Sequence, residues 1–408
     1  MTIQPFNFST FQPFNFSMLD FSQIRGTHYR INGDAERTAR ELGWGRRLGL
    51  NAVRFWMPGP GAWRAVAETR LEAPEARIAP FKDFVRQAHA AGYKSMPILF
   101  NGNGLDPAVL EESSWGICEA YAAAAVGALR GEPGLLAWDV MNEPTYNRWV
   151  REAPTDSERA ARRAKTVAFL GRVCALVRRL DPATPVTIGC ANAAEARECA
   201  PLVDAISFHN YGSTREDVER EFAAAEAAGR EFGKPVMNTE TGCLAYGNGY
   251  DMALEACARH GFGFFFFNLV IGGYTETFHG VFYDDGTIRD PVAVAAIMGC
   301  FRKRELSTHV PARPFKPGAE SRLVEIVAAL RGAAAAVRAE APAPEARDRF
   351  FRELERSANY LEACELVPMN TPPTAKIAAW RSQVATPPAE ALAMADEFAG
   401  LLEATLDK

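Results

Sequence analysis

The chain has 408 residues, of which 48% are hydrophobic and 23% are charged, as is typical of a folded globular protein with a large core. Its formal net charge of −5 gives no reason to expect nucleic acid or an anionic membrane surface as a partner. The eight cysteines form no CxxC pair, a pattern that favours free thiols in a reducing compartment over a disulfide framework or a zinc site.

The first 20 residues form an N-terminal segment that contains the near-repeat QPFNFS twice, at 4–9 and 12–17. This segment lacks the basic start and continuous apolar run of a secretory signal. The longest apolar run, near Gly263–Ile271, is too short to span a bilayer. The sequence therefore predicts a cytoplasmic protein with no membrane partner.

Eight short apolar runs predict strands, and segments of helical period separate them. The predicted strands are Ile24–Tyr29, Asn51–Met57, Lys94–Phe100, Leu135–Met141, Val186–Cys190, Ala205–Tyr211, Val236–Thr241 and Phe262–Val270. The predicted helices are Asp34–Leu48, Glu75–Ala91, Ser114–Arg130, Ser157–Leu180, Ala193–Ala200, Arg215–Phe232, Asp251–His260 and Pro291–Phe301. Several of these helices are followed by a glycine suited to a left-handed stop, at Gly49, Gly92 and Gly233.

Eight strand-then-helix units predict an α/β fold of the (β/α)8 TIM barrel class over residues 21–303. An open doubly wound sheet is the alternative, but it would usually carry a glycine-rich phosphate loop, which Gly26 and Gly33 do not form. Residues 304–408 are rich in Ala, Glu and Arg and predict a helical C-terminal appendage. Its helical patterns are Ser321–Glu340, Glu345–Leu366 and Pro388–Leu406. We expect the appendage to pack on the barrel or to form a homo-oligomer contact.

Two glutamates follow or end predicted strands, Glu143 after the fourth and Glu240 in the seventh. A barrel brings the carboxyl ends of its strands to one mouth, where active sites form. Two carboxylates at one mouth allow glycosidic bond cleavage, with one protonated as an acid and the other ionised. Arg54 and Tyr211 are candidate partners of Glu240, and His209 is a candidate to orient Glu143 or a sugar hydroxyl.

Further polar and aromatic residues near strand ends are candidates for contact with a sugar. Asn142 precedes Glu143 and suits a hydrogen bond to the 2-hydroxyl of the sugar. His28 ends the first strand, and its alternative role is a hydrogen-bonded core histidine. The candidate aromatic platforms are Trp56, Trp149, Tyr246, Phe267 and Tyr274.

The segments NAVRFW, DVMNEP, ISFHNY and VMNTETG, in this order, resemble the retaining β-glycosidases of clan A, most closely the cellulase-like barrels of glycoside hydrolase family 5. The resemblance covers Ile24–Phe301. It implies that Glu143 is the acid/base and Glu240 the nucleophile.

The same resemblance implies that Arg54 and Tyr211 support the nucleophile, and that Asn142 and His209 position the substrate. Two departures stand out. Phe267 occupies the place of a tryptophan that the family commonly has near the end of strand eight, and Asn101 or Asn103 replaces a histidine often found after strand three.

The sequence thus predicts a retaining β-glycoside hydrolase that acts on a soluble oligosaccharide or glycoconjugate. A transglycosidase using the same intermediate and a non-catalytic carbohydrate-binding protein are the alternatives. The six histidines form no HxH or HExxH motif, so we expect no metal, and no cofactor is expected either.

Overall fold

The computed structural model describes residues 20–57, 74–103, 105–272, 279–301, 319–339, 343–363, 373–383 and 386–406. Eight parallel strands pair in chain order and close into a barrel. The strands are β1 (Arg25–His28), β2 (Ala52–Trp56), β3 (Lys94–Asn101), β4 (Trp138–Asn142), β5 (Val186–Cys190), β6 (Ile206–Asn210), β7 (Val236–Thr241) and β8 (Gly263–Phe266). The predicted (β/α)8 TIM barrel is confirmed.

Helices surround the barrel and continue beyond it into a C-terminal group. Those of the barrel are α1 (Ala35–Arg47), α2 (Pro74–Ala90), α3 (Trp115–Leu129), α4 (Arg148–Arg151), α5 (Asp156–Leu180), α6 (Ala193–Cys199), α7 (Arg215–Phe232), α8 (Tyr250–His260) and α9 (Pro291–Ile297). Those of the C-terminal group are α10 (Ala319–Arg338), α11 (Pro344–Ala363), α12 (Pro373–Gln383) and α13 (Ala389–Leu406). The sequence analysis missed α4 and α12; proline at the first helical position, as at Pro373, starts a helix as readily as it marks a turn.

Helix α7 illustrates how local sequence sets the ends of an element. The Thr214 hydroxyl caps its first turn by accepting a hydrogen bond from the Asp217 N–H at 3.1 Å. Gly233 ends it with a φ of 63°, a left-handed conformation that glycine adopts without a side-chain clash. The glycine stop predicted at this position is confirmed.

The predicted strand boundaries differ from the observed ones most at the end of the eighth strand. The strand expected over Phe262–Val270 ends at Phe266. Beyond it the Leu269 N–H donates to the His28 carbonyl at 3.1 Å, and Val270 forms an isolated bridge with Phe282. The sequence stays apolar after Phe266 because the loop that follows the strand is also buried, with Phe267, Leu269 and Ile271 all at most 7% exposed.

An apolar cluster fills the end of the barrel at which the strands begin. It includes Ile24, Met96, Met237 and Phe265. Gly26 on β1 leaves room for the Phe265 ring, which a Cβ at that position would overlap. With this end closed by apolar side chains, the polar residues of the interior lie toward the carboxyl ends of the strands.

A second apolar core lies within α10–α13 and extends to the barrel. Cys243 and Ala245, in the loop after β7, belong to this cluster, and the half-buried Tyr211 packs against it. The C-terminal helices therefore contact the mouth side of the barrel. The predicted boundary between residues 303 and 304 lies outside the described residues and stays a prediction, as does the homo-oligomer contact. In the part of the chain that the structure describes, no helix combines the length and apolar character needed to cross a membrane.

The packing of α10 leads to a stability prediction. Leu330 is fully buried in the C-terminal core, whereas Val324 on the same helix is 53% exposed. Leu330→Ala should lower the free energy of unfolding by about 2–5 kcal/mol, because it leaves a cavity. Val324→Ala should change it by less than about 0.5 kcal/mol. Urea unfolding followed by circular dichroism measures both, and equal midpoints for the two variants would contradict the packing described.

Candidate active site

A fully buried arginine on β2 stands at the centre of the polar interior. Arg54 Nε donates to Asp139 Oδ2 at 2.9 Å, and Nη2 donates to Asn142 Oδ1 at 2.8 Å. Nη1 donates to Glu240 Oε1. Burial lowers the pKa of Arg54, but the charges of Asp139 and Glu240 outweigh it and the net shift is upward. The guanidinium is therefore a permanent cation that holds residues from β4 and β7.

An irregularity in β4 allows two of its side chains to reach this arginine. Against β5, Asp139 pairs with Thr187 and Asn142 with Gly189, so β4 has one extra residue between the pairs. A Cβ on Gly189 would lie 2.8 Å from Asp139 Oδ2 and would overlap the Arg54 guanidinium. Glycine is thus required on β5 for the arginine to fit.

Glu240 receives a donor on each carboxylate oxygen. Arg54 donates to Oε1, and the Tyr211 hydroxyl donates to Oε2 at 2.9 Å. His209 Nδ1 lies 3.5 Å from Oε2. Both partners predicted from sequence, Arg54 and Tyr211, are in place around this carboxylate and donate to it, one to each oxygen.

Glu143 lies in a different environment. It is 8% exposed, and its Oε1 is 2.8 Å from His209 Nδ1. Burial raises the pKa of the Glu143 carboxyl above its ordinary value. A hydrogen bond from the Asn103 side chain and the positive charges of Arg54 and Arg151 offset part of that rise. Of the two glutamates, Glu143 is therefore the one whose protonated form is favoured by burial.

The backbone at Glu143 has a φ of 44°, in the left-handed region that non-glycine residues seldom adopt. The Glu143 N–H donates to the Gly189 carbonyl at 2.7 Å, and the Gly102 N–H donates to the Asn142 carbonyl at 2.6 Å. A Cβ on Gly102 would lie 2.6 Å from the Glu143 carbonyl carbon and from Pro144 Cα. The loop after β3 therefore packs directly on the chain that carries Glu143.

The two asparagines considered as replacements for a histidine have different partners. Asn101 Oδ1 accepts from Asn142 Nδ2 at 3.3 Å, whereas the Asn103 side chain bonds to Glu143. Asn101 thus acts on the site through Asn142. Asn103 is the one that contacts the candidate acid.

His209 lies between the two glutamates. Burial lowers its pKa to about 4, so the ring is neutral at neutral pH. Its Nε2 is buried and makes no hydrogen bond to the residues that the structure describes.

Aromatic rings line the side of the site formed by β1, β2 and the segment after β8. The His28 ring lies 4.0 Å from that of Trp56 and 4.7 Å from that of Phe267, centroid to centroid. The Phe267 ring also lies 4.8 Å from the ring of His279, and only 4% of Phe267 is exposed. His28 Nε2 and Trp56 Nε1 are buried without a hydrogen-bond partner among the described residues. A bound ligand could therefore accept a hydrogen bond from the Trp56 indole N–H, and could donate to or accept from His28 Nε2.

The remaining candidate aromatics fall into three situations. Tyr246 is 41% exposed and lies 6.3 Å from the Tyr211 ring, at the edge of the site. Trp149 packs against the barrel core beneath Arg162, and the structure does not bring it to the site. Tyr274 lies outside the described residues.

The sequence analysis missed Asp139, Gly189 and Gly102. Only Asp139 gave a signal, as a charged residue within the otherwise apolar strand AWDVM.

The spacing of the ionisable groups bears on both hydrolysis and metal binding. One ligand atom each from Glu143, His209 and Glu240 lie within 4.8 Å of one another, close enough to hold a cation. A metal ion there would be placed beside the Arg54 guanidinium, which already neutralises Glu240. An oxygen of Glu143 thus lies within 4.8 Å of an oxygen of Glu240, which is compatible with the separation of about 5–5.5 Å between the carboxyl groups of retaining glycosidases.

No protein-family model matches the chain, and no curated protein sequence matches it. Solved structures do. An endo-beta-1,4-mannanase from Thermotoga petrophila is 14% identical with a TM-score of 0.51, over 67% of this chain and 75% of that chain. GH5_18 from Streptomyces cattleya, in complex with GlcNAc, is 15% identical with a TM-score of 0.54, over 67% and 78%. The exo-beta-1,4-mannosidase Op5Man5 from Opitutaceae bacterium strain TAV5 is 15% identical with a TM-score of 0.52, over 76% and 67%. At these identities the likeness shows a shared barrel fold.

The close packing at Gly189 can be tested by adding one methyl group. Gly189→Ala should lower the free energy of unfolding by about 1–3 kcal/mol, because the new Cβ displaces Arg54 and Asp139. Gly171→Ala is the matched control, since a Cβ on Gly171 meets only Leu202 at 3.6 Å, an ordinary contact. Chemical denaturation of both variants measures the difference. A Gly189→Ala protein as stable as the control would refute the packing around Arg54.

Proposed function

We propose that the protein is a retaining β-glycoside hydrolase of the family 5 type. The observation that carries the proposal is the pair of buried glutamates at one mouth with opposite environments. Glu240 has a hydrogen-bond donor on each oxygen, while burial raises the pKa of Glu143. This asymmetry is what double displacement requires of its nucleophile and its acid.

In the first step, Glu240 attacks the anomeric carbon of the substrate. The bond from that carbon to the leaving oxygen breaks, and the Glu143 proton passes to this oxygen. Arg54 and Tyr211 hold Glu240 by its two oxygens, which orients the carboxylate for attack. The products are a free alcohol, a glycosyl ester on Glu240 and an ionised Glu143.

In the second step, the ionised Glu143 removes a proton from water as the water oxygen attacks the same carbon. The ester bond to Glu240 breaks and the sugar leaves with its original β configuration. His209, neutral and 2.8 Å from Glu143 Oε1, supports the orientation of the carboxyl through both steps. Transfer to a sugar acceptor in place of water would make the protein a transglycosidase.

The substrate that we propose is a β-linked soluble oligosaccharide or glycoconjugate. The fold neighbours include a mannanase, a mannosidase and a protein solved with GlcNAc, which supports β-linked mannosides as the first substrates to try. Phe267, with its ring enclosed by His28 and His279, offers a sugar less flat apolar surface than a tryptophan.

The reaction can be tested with a panel of β-linked oligosaccharides and aryl β-glycosides. The intact protein should release sugar from at least one member, and Glu240→Ala should lose at least about 1,000-fold of that activity because the nucleophile is gone. Added azide should restore turnover in two variants, and the two products should have opposite anomeric configurations. Glu240→Ala should form an α-glycosyl azide and Glu143→Ala a β-glycosyl azide.

Glu231→Gln, which alters an exposed carboxylate paired with Arg197, is the control and should match the intact protein. Full activity in Glu240→Ala would overturn the proposed roles. Binding of a sugar without release from any panel member would instead favour the carbohydrate-binding alternative.

The raised pKa of Glu143 has consequences for pH dependence. As pH rises through this pKa, the acid loses its proton, so kcat/KM should fall. Because the folded pKa exceeds the unfolded one, Glu143 favours the folded state at acid pH, and this contribution is lost as pH rises through the folded pKa. Glu143→Gln should therefore be more stable than the intact protein at pH 8, with a smaller difference at pH 4. Thermal unfolding at both pH values measures this, and a difference independent of pH would contradict it.

A further inference from the structure

A buried glutamate outside the catalytic pair contacts the loop that carries Glu143. Glu195, on α6, is 1% exposed. Its Oε1 accepts from the Thr145 N–H at 2.8 Å and from the Thr145 hydroxyl at 2.6 Å. Thr145 is two residues beyond Glu143, so one carboxylate oxygen from a different βα unit fixes the backbone and side chain of the acid's own loop.

The other oxygen of Glu195 has an ordinary structural role. Oε2 accepts from the Ala191 N–H at 2.6 Å, close to the start of α6, where the Asn192 side chain caps the helix. The bond to Oε2 resembles that of a capping box, in which a glutamate in the first turn of a helix accepts a hydrogen bond from the backbone just before the helix. Capping explains Oε2 and leaves the two bonds from Thr145 to Oε1 unexplained.

A cation orders the Thr145 hydroxyl. Arg163 Nη1 donates to Thr145 Oγ1 at 3.1 Å, so the hydroxyl accepts from Arg163 and donates to Glu195. The hydroxyl therefore has one donor and one acceptor, which fixes its direction, and the bond from the Arg163 guanidinium is of the stronger, charge-assisted kind. Thr145 is thus held on both sides.

Holding Thr145 matters because Glu143 has a left-handed backbone. Such a conformation is unfavourable for a residue with a side chain and persists only when its surroundings enforce it. On the N-terminal side, the Asn142 carbonyl is bound by the Gly102 N–H. On the C-terminal side, Pro144 has a restricted φ and its carbonyl accepts from Asn147 Nδ2 at 2.9 Å. The bonds from Thr145 to Glu195 then tie this segment to a different βα unit.

We propose that Glu195 and Thr145 are positioning residues for the acid/base Glu143. By fixing the chain after Pro144, they keep the Glu143 carboxyl at His209 and directed toward the leaving oxygen. This inference rests on the proposed glycosidase function. It assigns to Glu195 a role in proton delivery in addition to helix capping.

The role predicts a particular kind of defect. A displaced acid slows departure of a sugar or alkyl leaving group, which needs a proton. It has little effect on 2,4-dinitrophenolate, which leaves without one. A general loss of folded protein would reduce both reactions equally. The ratio of kcat/KM for the two leaving groups therefore separates positioning from stability.

The experiment measures kcat/KM of each variant on a β-linked oligosaccharide and on the 2,4-dinitrophenyl β-glycoside of the same sugar. Glu195→Gln removes one acceptor, and Thr145→Val removes the hydroxyl while keeping the shape. Each should lose about 10- to 100-fold on the oligosaccharide and less than about threefold on the aryl glycoside. Glu143→Ala should show the same selectivity with a larger loss.

Two variants serve as controls. Thr145→Ser retains the hydroxyl and the N–H and should keep its activity within about threefold. Glu231→Gln should match the intact protein on both substrates. If Glu195→Gln fails to fold, Thr145→Val can replace it in the test. In that variant Glu195 still accepts from the backbone N–H groups of Thr145 and Ala191.

Equal losses on the two substrates, or no loss on either, would overturn the positioning role while leaving the glycosidase proposal intact. An intact protein that cleaves neither substrate would overturn the proposed function and, with it, the positioning role of Glu195 and Thr145.

Discussion

The site depends on one buried charge, the guanidinium of Arg54. A cation without solvent is costly unless it is paired and fully hydrogen-bonded, and here Asp139 and Glu240 supply the charge while Asn142 supplies a further acceptor. Satisfying it imposes the extra residue in β4 and the absence of a side chain at Gly189. The position of Glu240 is thus a consequence of how the barrel accommodates an arginine in its interior.

The same arrangement gives the two glutamates different properties. Glu240 is bonded to Arg54 through one carboxylate oxygen and to Tyr211 through the other. Glu143 is buried beside a neutral His209, where loss of solvent raises the pKa of the Glu143 carboxyl. Two residues of one chemical type therefore have different environments, set by burial and hydrogen bonding alone, as the proposed acid and nucleophile require. The left-handed backbone of Glu143 requires support, which the loops after β3 and β5 provide.

The C-terminal helices are linked to this site through Tyr211. Their apolar core continues into Cys243 and Ala245, and the Tyr211 ring packs against it. The hydroxyl of the same tyrosine donates to Glu240. The contact with the appendage and the hydrogen bond to the proposed nucleophile thus share one side chain.

Much of the fold and part of the site could be predicted from residue order. Apolar runs alternating with helical segments specify a barrel, and a barrel brings Glu143 and Glu240 to one mouth whatever their separation in sequence. Asp139, Gly189 and Glu195 were not predictable in the same way. Their roles depend on a one-residue shift in strand register and on contacts between separate βα units, which local periodicity does not encode. The tertiary structure also decided the environment of each glutamate. Both are buried, but Arg54 pairs with Glu240, because solvent exclusion and the reach of the arginine are properties of the packed barrel.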